Sequence, residues 1–244
     1  MNMKIKNSKT PILSIVTVCF NDYDALIKTF NSVKKQNFTN YEYLVIDGGS
    51  KDDTVKFLKK NNEIIDYWVS ENDNGIYDAF NKGIIKSKGK YIHLLNAGDT
   101  YMNSQSLLNI DFNCGFDFIC SSVLKKSSKD WVWLPFINSI SNYVNVSHPG
   151  LIVKNEVYCN NLYSTKYKIV SDELFIYNNV KIEKTKIYND ILVEMSDGGI
   201  STELSISHEL EKHKILIKEK FRNKEKFILH IKYILVFLKK TLLK

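Results

Sequence analysis

The strongest constraint on this chain is the alternation in its N-terminal part. Residues 12–18 (ILSIVTV) form an almost continuous apolar run rich in β-branched side chains. That pattern is expected of a strand buried on both faces of a parallel sheet. Residues 22–35 follow, with Leu26, Phe30 and Val33 at helical spacing among polar neighbours. Residues 41–46 (YEYLVI), 64–69 and 91–95 (YIHLL) read as three more strands, with helices over 50–60 and 76–87 between them. Ser50 and Asp53 have the spacing of a capping box. The order βαβαβαβ predicts a doubly wound α/β sheet.

Beyond Asp99 the pattern loosens. Residues 116–121, 131–134 and 151–153 read as short strands, 172–178 as a helix, and 181–188 and 191–195 as strands. A chain of 244 residues, 44% hydrophobic, can bury a sizeable core without a disulfide or structural metal. Its four cysteines, Cys19, Cys114, Cys120 and Cys159, form no Cys-x-x-Cys pair and have no zinc-finger spacing to histidine, so they read as reduced thiols of a cytosolic protein. Residues 1–10 are polar, and no signal peptide is expected.

In open α/β sheets ligands bind beyond the carboxyl ends of the strands. The first strand is followed by Cys19, Phe20, Asn21 and Asp22, and the second by Asp47, Gly48, Gly49 and Ser50. The third is followed by Glu71, Asn72, Asp73, Asn74 and Gly75, and the fourth by Asn96, Ala97, Gly98 and Asp99. One such edge is turn chemistry; four on one rim describe a polar cleft. The chain has neither Gly-x-Gly-x-x-Gly nor a Walker-type loop. A nucleotide bound here needs another means of neutralising its phosphates, and a divalent cation (Mn or Mg) on a carboxylate supplies one. Asp99, at the end of the fourth strand, is placed for that.

The segments TVCFND, VIDGGSKDDT, SENDNGIYDAFNKGI and LLNAGD, continued by SHPGLIV, YKIVSDELF and SDGGIST, resemble the inverting family 2 glycosyltransferases of the GT-A fold. The resemblance is nearest to the bacterial branch that builds exopolysaccharide, capsule and O-antigen units, and it spans roughly residues 11–202. It implies a Rossmann-like mixed sheet flanked by helices. Residues 11–100 would form a nucleotide-sugar-binding half and 101–205 an acceptor-binding half.

The resemblance also assigns roles. Thr17, Cys19, Asn21 and Gly48 would line the nucleotide-sugar pocket, with Asp47 on the base. Asp73, Asp78, Asn81 and Lys82 belong to the segment that packs under nucleotide and sugar. Asn96, Ala97 and Asp99 match the metal motif, whose usual Asp-Asp ending here reads Gly98-Asp99, leaving one carboxylate. Asp172 matches the catalytic base. His148 stands where the family reads His-Gln, here followed by Pro149. Gly198 and Gly199 match a late loop that closes near the acceptor. The chemistry is consistent: a sugar hydroxyl needs a carboxylate to accept its proton, the nucleoside diphosphate leaves with developing negative charge, and attack from the opposite face inverts the anomeric centre. UDP is the expected nucleotide.

Plainer readings stand beside these. Asp172 can serve as a helix cap, Asp99 and Asp47 as turn residues, His148 as a buried histidine, and Cys19 as a packed thiol. Trp131 and Trp133 alternate on one strand, and core packing is the expected reason. One rival, a sugar nucleotidyltransferase, would place a Gly-rich basic loop where this chain has Phe20-Asn21-Asp22. A non-catalytic binding subunit of the same fold is the other.

The charge of +7 is concentrated at one end: residues 211–244 hold eleven Lys/Arg against three Glu. A nearly neutral body is not a nucleic-acid-binding profile. Residues 206–244 read as a basic amphipathic helical segment. The apolar stretch 227–238, interrupted by His230 and Lys232, is shorter than the ~20 residues of a membrane span. It suits a helix lying on an anionic leaflet, or one packed on the body. The expected location is the cytoplasmic face of the cell membrane, with a lipid-linked glycan as acceptor.

Overall fold

The computed structural model describes residues 10–138, 143–196 and 218. Strand β1 (Leu13–Cys19) is buried at every position. Helix α1 (Tyr23–Lys34) starts where Asp22 accepts a hydrogen bond from the Ala25 amide at 3.2 Å, and it buries Leu26, Thr29, Phe30 and Val33. Then come β2 (Tyr41–Asp47), α2 (Thr54–Lys60), β3 (Tyr67–Ser70), α3 (Ile76–Lys86), β4 (Tyr91–Leu94) and β5 (Thr100–Tyr101). The second half runs β6 (Phe118–Lys125), β7 (Trp131–Trp133), β8 (Phe136–Asn138), β9 (Tyr143–Asn145), β10 (Leu151–Lys154), α4 (Asn155–Tyr158), α5 (Ser171–Asn179) and β11 (Thr185–Met195).

Among the described residues the main sheet has the order β3-β2-β1-β4-β10-β6-β11-β5, with β7 on the side of β6, and β8 and β9 form a separate pair. Strands β3, β2, β1 and β4 are parallel; β10 is antiparallel to both β4 and β6, and β11 is parallel to β6. The chain builds outward from β1 to β3, then crosses back through α3 to place β4 on the other side of β1. This reversal opens a crevice at the carboxyl ends of β1 and β4. The period of two along β1 and β2 divides the core. Val16, Val18, Leu44 and Ile46 face one cluster with Phe80 and Ile84 of α3. Ile15, Tyr43 and Val45 face the other, with Leu26, Phe30 and Leu58.

The structure corrects several local expectations. Strand β3 begins at Tyr67 because the amides of Ile64 and Ile65 are taken by the Asn61 carbonyl in the turn that ends α2. The capping box is absent: Asp53 caps α2 without a side-chain bond, and the Ser50 hydroxyl is committed to Asp47. Residues 182–184 form a 3-10 turn, and β11 continues through positions 189–190 by register shifts opposite β6. Trp131 and Val132 are 42% and 40% exposed on the edge strand β7, so the expected core packing of the Trp pair is not found.

One buried polar residue, His93 on β4, knits the two halves. Its Nε2 lies 2.9 Å from the Pro149 carbonyl and its Nδ1 2.8 Å from the Tyr101 hydroxyl. A carbonyl only accepts, so Nε2 carries the proton and Nδ1 accepts from Tyr101. Burial holds this imidazole neutral, pushing it down to about 4.

Helix α3 packs so closely on β1 that a Cβ at Gly83 would lie 2.3 Å from Val16 Cγ1. Alanine there would gain about 1 kcal/mol of helix propensity, but overpacking a stiff β-branched neighbour costs about 1–3 kcal/mol. Gly83→Ala is therefore expected to lower the urea midpoint. The added substitution Val16→Ala should make the Gly83→Ala penalty smaller, and additive effects would show that the two groups do not meet.

Candidate functional site

Three loops close over the carboxyl ends of β1, β2 and β3. Asp47, fully buried at the end of β2, is their centre. Its Oδ2 accepts from the Ser50 amide at 3.0 Å and the Ser70 hydroxyl at 2.5 Å. Its Oδ1 accepts from the Ser50 hydroxyl and from Cys19 Sγ at 3.6 Å. Burial, then the Asp47 charge, pushes the Cys19 thiol far up, so it remains a donor. Asn21 has a left-handed backbone (φ 48°), its amide bonds to Ser50 Oγ at 2.7 Å, and its side chain accepts from the Lys51 amide at 2.8 Å. A Cβ on Gly48 would lie 2.7 Å from Asp73 Oδ2 and 3.1 Å from Phe20 Cδ2, so Asp73 and the exposed Phe20 ring flank a bare stretch of backbone. Thr17 lies below this rim, fully buried, its hydroxyl accepting from Tyr43 at 3.1 Å.

The loop after β3 is stapled to α3. Lys82 Nζ lies 3.0 Å from Glu71 and 3.4 Å from Asp78, and it donates to the Asn72 carbonyl at 3.1 Å. Asp78 accepts from the Asn74 amide at 3.0 Å. Asn81 faces the opposite half of the molecule: its side chain donates to the Tyr163 carbonyl and accepts from the Tyr163 amide, both at 2.9 Å.

Across the crevice, Thr29 of α1 organises residues 96–99. Its hydroxyl donates toward the carbonyls of Asn96 and Asp99 and accepts from the Gly98 amide at 2.9 Å. Ala97 donates to the Val18 carbonyl, fixing the segment to β1. Asp99 is 3% exposed; its Oδ1 accepts from the Ser196 amide at 3.2 Å, and burial pushes it up to about 7. The Asn96 Oδ1 is buried with no hydrogen-bond partner. An unmatched amide oxygen and a buried carboxylate with one amide donor among the described residues, both on one short turn, suit a hard cation, which takes oxygen ligands. Among the described residues no three His, Cys, Asp or Glu side chains gather into a metal cluster. A cation here would draw its remaining ligands from phosphate oxygens and water.

The third part lies at the start of α5. Val170 has φ 87°, a left-handed conformation that is strained for a β-branched residue. The next two residues, Ser171 and Asp172, open the helix. Asp172 is not its cap; the cap position is Val170, and Asp172 Oδ1 accepts from the Tyr77 hydroxyl at 2.7 Å. His148 stacks on Phe80 with centroids 5.0 Å apart, its Nε2 is 3.4 Å from the Tyr163 hydroxyl, and burial pulls it below its ordinary value while Asp172 opposes this. Gly198, Gly199 and the basic segment 206–244 lie outside the described residues.

The structure thus gathers the rim residues Cys19, Asn21, Asp47 and Gly48, and separately the residues Asp172 and His148, with α3 between them. The sequence assigned no individual role to Phe20, Ser70, Tyr77, Val170 or Ser196. Phe20 carried a signal, an aromatic residue directly after a buried strand. Ser196 and Ser70 carried none, because their roles come from contacts distant in sequence.

The family profile described as Glycosyl transferase family 2 matches residues 14–174. The uncharacterized glycosyltransferase Rv1514c of Mycobacterium tuberculosis is 40% identical over 95 residues, which is 38% of this chain and 36% of that protein. The putative teichuronic acid biosynthesis glycosyltransferase TuaG of Bacillus subtilis is 26% identical over 121 residues, covering 47% of this chain and 48% of TuaG. The chain therefore aligns with less than half the length of these two relatives. Among solved structures, S. aureus TarS 1-349 in complex with UDP-GlcNAc superposes with a TM-score of 0.68 at 16% identity, over 87% of this chain and 67% of that one. That likeness establishes the GT-A-like fold.

Two buried groups give opposite pH dependences. The folded protein keeps a proton on Asp99 that the unfolded chain releases, so this group withdraws stability as pH rises from about 4 to about 7. His93 does the reverse: its contribution is present above the ordinary value of 6.5 and is lost as pH falls toward about 4. Asp99→Asn removes only the first effect. In chelator, urea unfolding should show the variant gaining on the order of 2–3 kcal/mol relative to the parent between pH 5 and pH 8. Parallel stability curves would show that Asp99 is not held protonated.

Proposed function

The chain belongs to glycosyl transferase family 2, and from that premise we propose that it moves a sugar from a nucleotide-sugar, a UDP-sugar, to a hydroxyl of a glycan acceptor in bacterial surface polysaccharide synthesis, with inversion at the anomeric carbon. The observation that carries this reading is the placement of Asp172. It follows the strained Val170 in the first turn of α5, across α3 from the polar rim, and its Oδ1 is held by the Tyr77 hydroxyl.

In this reading residues 11–100 bind the donor and 101–205 bind the acceptor. The base and ribose lie against the rim of Asn21, Asp47 and Gly48, with Phe20 offering a ring face to the base. Asp47 acts chiefly by holding the rim, since both its oxygens already accept two donors. The diphosphate lies toward Asn96, Ala97 and Asp99. A divalent cation bound there supplies positive charge to the departing nucleoside diphosphate. The Lys82 and Asp78 contacts keep the sugar-side loop in place, and Asn81 ties α3 to the acceptor half at Tyr163. Asp172 takes the proton of the attacking hydroxyl, and His148 shapes the acceptor side with Gly198 and Gly199.

The acceptor we favour is lipid-linked. The basic segment 206–244 would hold the enzyme at the inner face of the cell membrane, in the cytoplasm. Among the described residues no helix is long and apolar enough to cross a membrane. The name of TuaG supports the polysaccharide setting, and the UDP-GlcNAc complex of TarS supports the donor class.

The test is a thermal-shift screen of UDP, GDP, dTDP and their sugars with Mn²⁺, Mg²⁺ or chelator, followed by turnover. A UDP compound should raise the melting temperature only when metal is present, and Asp99→Asn should abolish that dependence. Asp172→Asn should keep the donor-induced shift and lose turnover by a factor of about 10²–10⁴. Full turnover in folded Asp172→Asn would remove the base assignment. A donor that stabilises without ever being transferred or hydrolysed would favour a non-catalytic binding subunit.

A further inference from the structure

The start of α5 lacks an ordinary cap, and a residue from another helix takes that place. Val170 occupies the cap position, and its apolar side chain makes no cap hydrogen bond. Tyr77, in the first turn of α3 and 7% exposed, brings its hydroxyl there instead. It donates to Asp172 Oδ1 at 2.7 Å, while the backbone amides of Ser171 and Asp172 act on the phenol oxygen. The ring is held independently of that bond. It stacks on Tyr163 with centroids 5.8 Å apart and planes at 23°, and it meets Phe80 edge-on at 6.1 Å. Tyr163 is itself clamped at amide and carbonyl by Asn81, one turn along α3 from Tyr77. The hydroxyl therefore reaches Asp172 from a platform fixed at both ends. Burial and the Asp172 charge push the phenol far above its ordinary value, so it keeps its proton and acts as a donor.

Resting on the assignment of Asp172 as base, we infer that Tyr77 is a positioning residue: its hydrogen bond fixes the Asp172 carboxylate by Oδ1 and leaves Oδ2 to take the proton of the acceptor. A carboxylate in a first helical turn otherwise samples several rotamers and a broad terminal torsion. Misplacement by about 1 Å is enough to cost a hundredfold in rate. Among the described residues, Tyr77 from α3, His148 from the turn before β10 and Tyr163 from the segment before α5 are titratable groups that act on Asp172. Among these only Tyr77 bonds to the carboxylate.

The experiment compares Tyr77→Phe, Asp172→Asn and the double variant in the full chain with metal and donor. Tyr77→Phe keeps the ring stack and removes only the donor. Its kcat should fall about tenfold while the donor KM stays within about twofold. The acidic limb of the kcat–pH profile should move to higher pH, because the ionised base loses a hydrogen bond. In the Asp172→Asn background the same change should have no further effect on kcat. Replacing Tyr77 with 3-fluorotyrosine, a stronger donor of nearly the same shape, should move the limb to lower pH, and this test stands even where Tyr77→Phe fails to fold. An unmoved limb in both Tyr77 replacements, with Asp172→Asn inactive, overturns the positioning role and leaves the base in place. Full turnover in Asp172→Asn overturns both.

Discussion

Everything in this molecule is referred to β1. It is buried on both faces and paired on both edges, with β2 on one side and β4 on the other. A strand in that position can carry no polar side chain without a partner, and the partners are present: Ser14 bonds Glu42, and Thr17 bonds Tyr43. Because the chain reverses direction across β1, the loops after β1, β2 and β4 are brought to one edge. The crevice is a consequence of strand order. The parts that line it were not selected for proximity along the chain.

Such a rim is costly to hold open, since it concentrates carboxylates where the sheet excludes water. Among the described residues two acids are buried, and the protein treats them differently. Asp47 is surrounded by hydroxyl, thiol and amide donors and is structurally complete. Among the described residues Asp99 has one amide donor, and the neighbouring Asn96 amide oxygen has none. An acid that is satisfied organises, whereas one left short of donors keeps unused capacity to accept. The contrast separates two aspartates that look alike as strand-end residues in the sequence.

The first half was legible because parallel strands announce themselves. Runs such as ILSIVTV are apolar throughout, and the polar residues that follow them mark the ligand edge. Boundaries failed where a backbone carbonyl outbid strand pairing, as Asn61 does for Ile64 and Ile65. The second half was legible only in pieces, because β10, β6 and β11 pair out of sequence order and no local pattern records that. Trp131 misled for a related reason. Alternation on a strand says that two residues share a face and says nothing of whether another layer covers it. Motif resemblance led to Asp172, while the bond that holds it, from a tyrosine 95 residues earlier, has no signature in either segment.

Helix α3 explains why one short stretch of sequence carries so much. Residues four apart on a helix share a face, and three of the pairs on this helix point in three different directions. Asp78 and Lys82 turn toward the loop after β3 and staple it. Ala79 and Gly83 are buried, Gly83 so close to Val16 that a side chain larger than hydrogen does not fit. Tyr77 and Asn81 turn toward the second half, one reaching Asp172 and the other clamping Tyr163. The loop after β3, the central strand and the Asp172 carboxylate are therefore positioned by one rigid element. A shift of the helix along its axis would disturb all three together, so the close approach at Gly83 sets the distance between the two sides of the site.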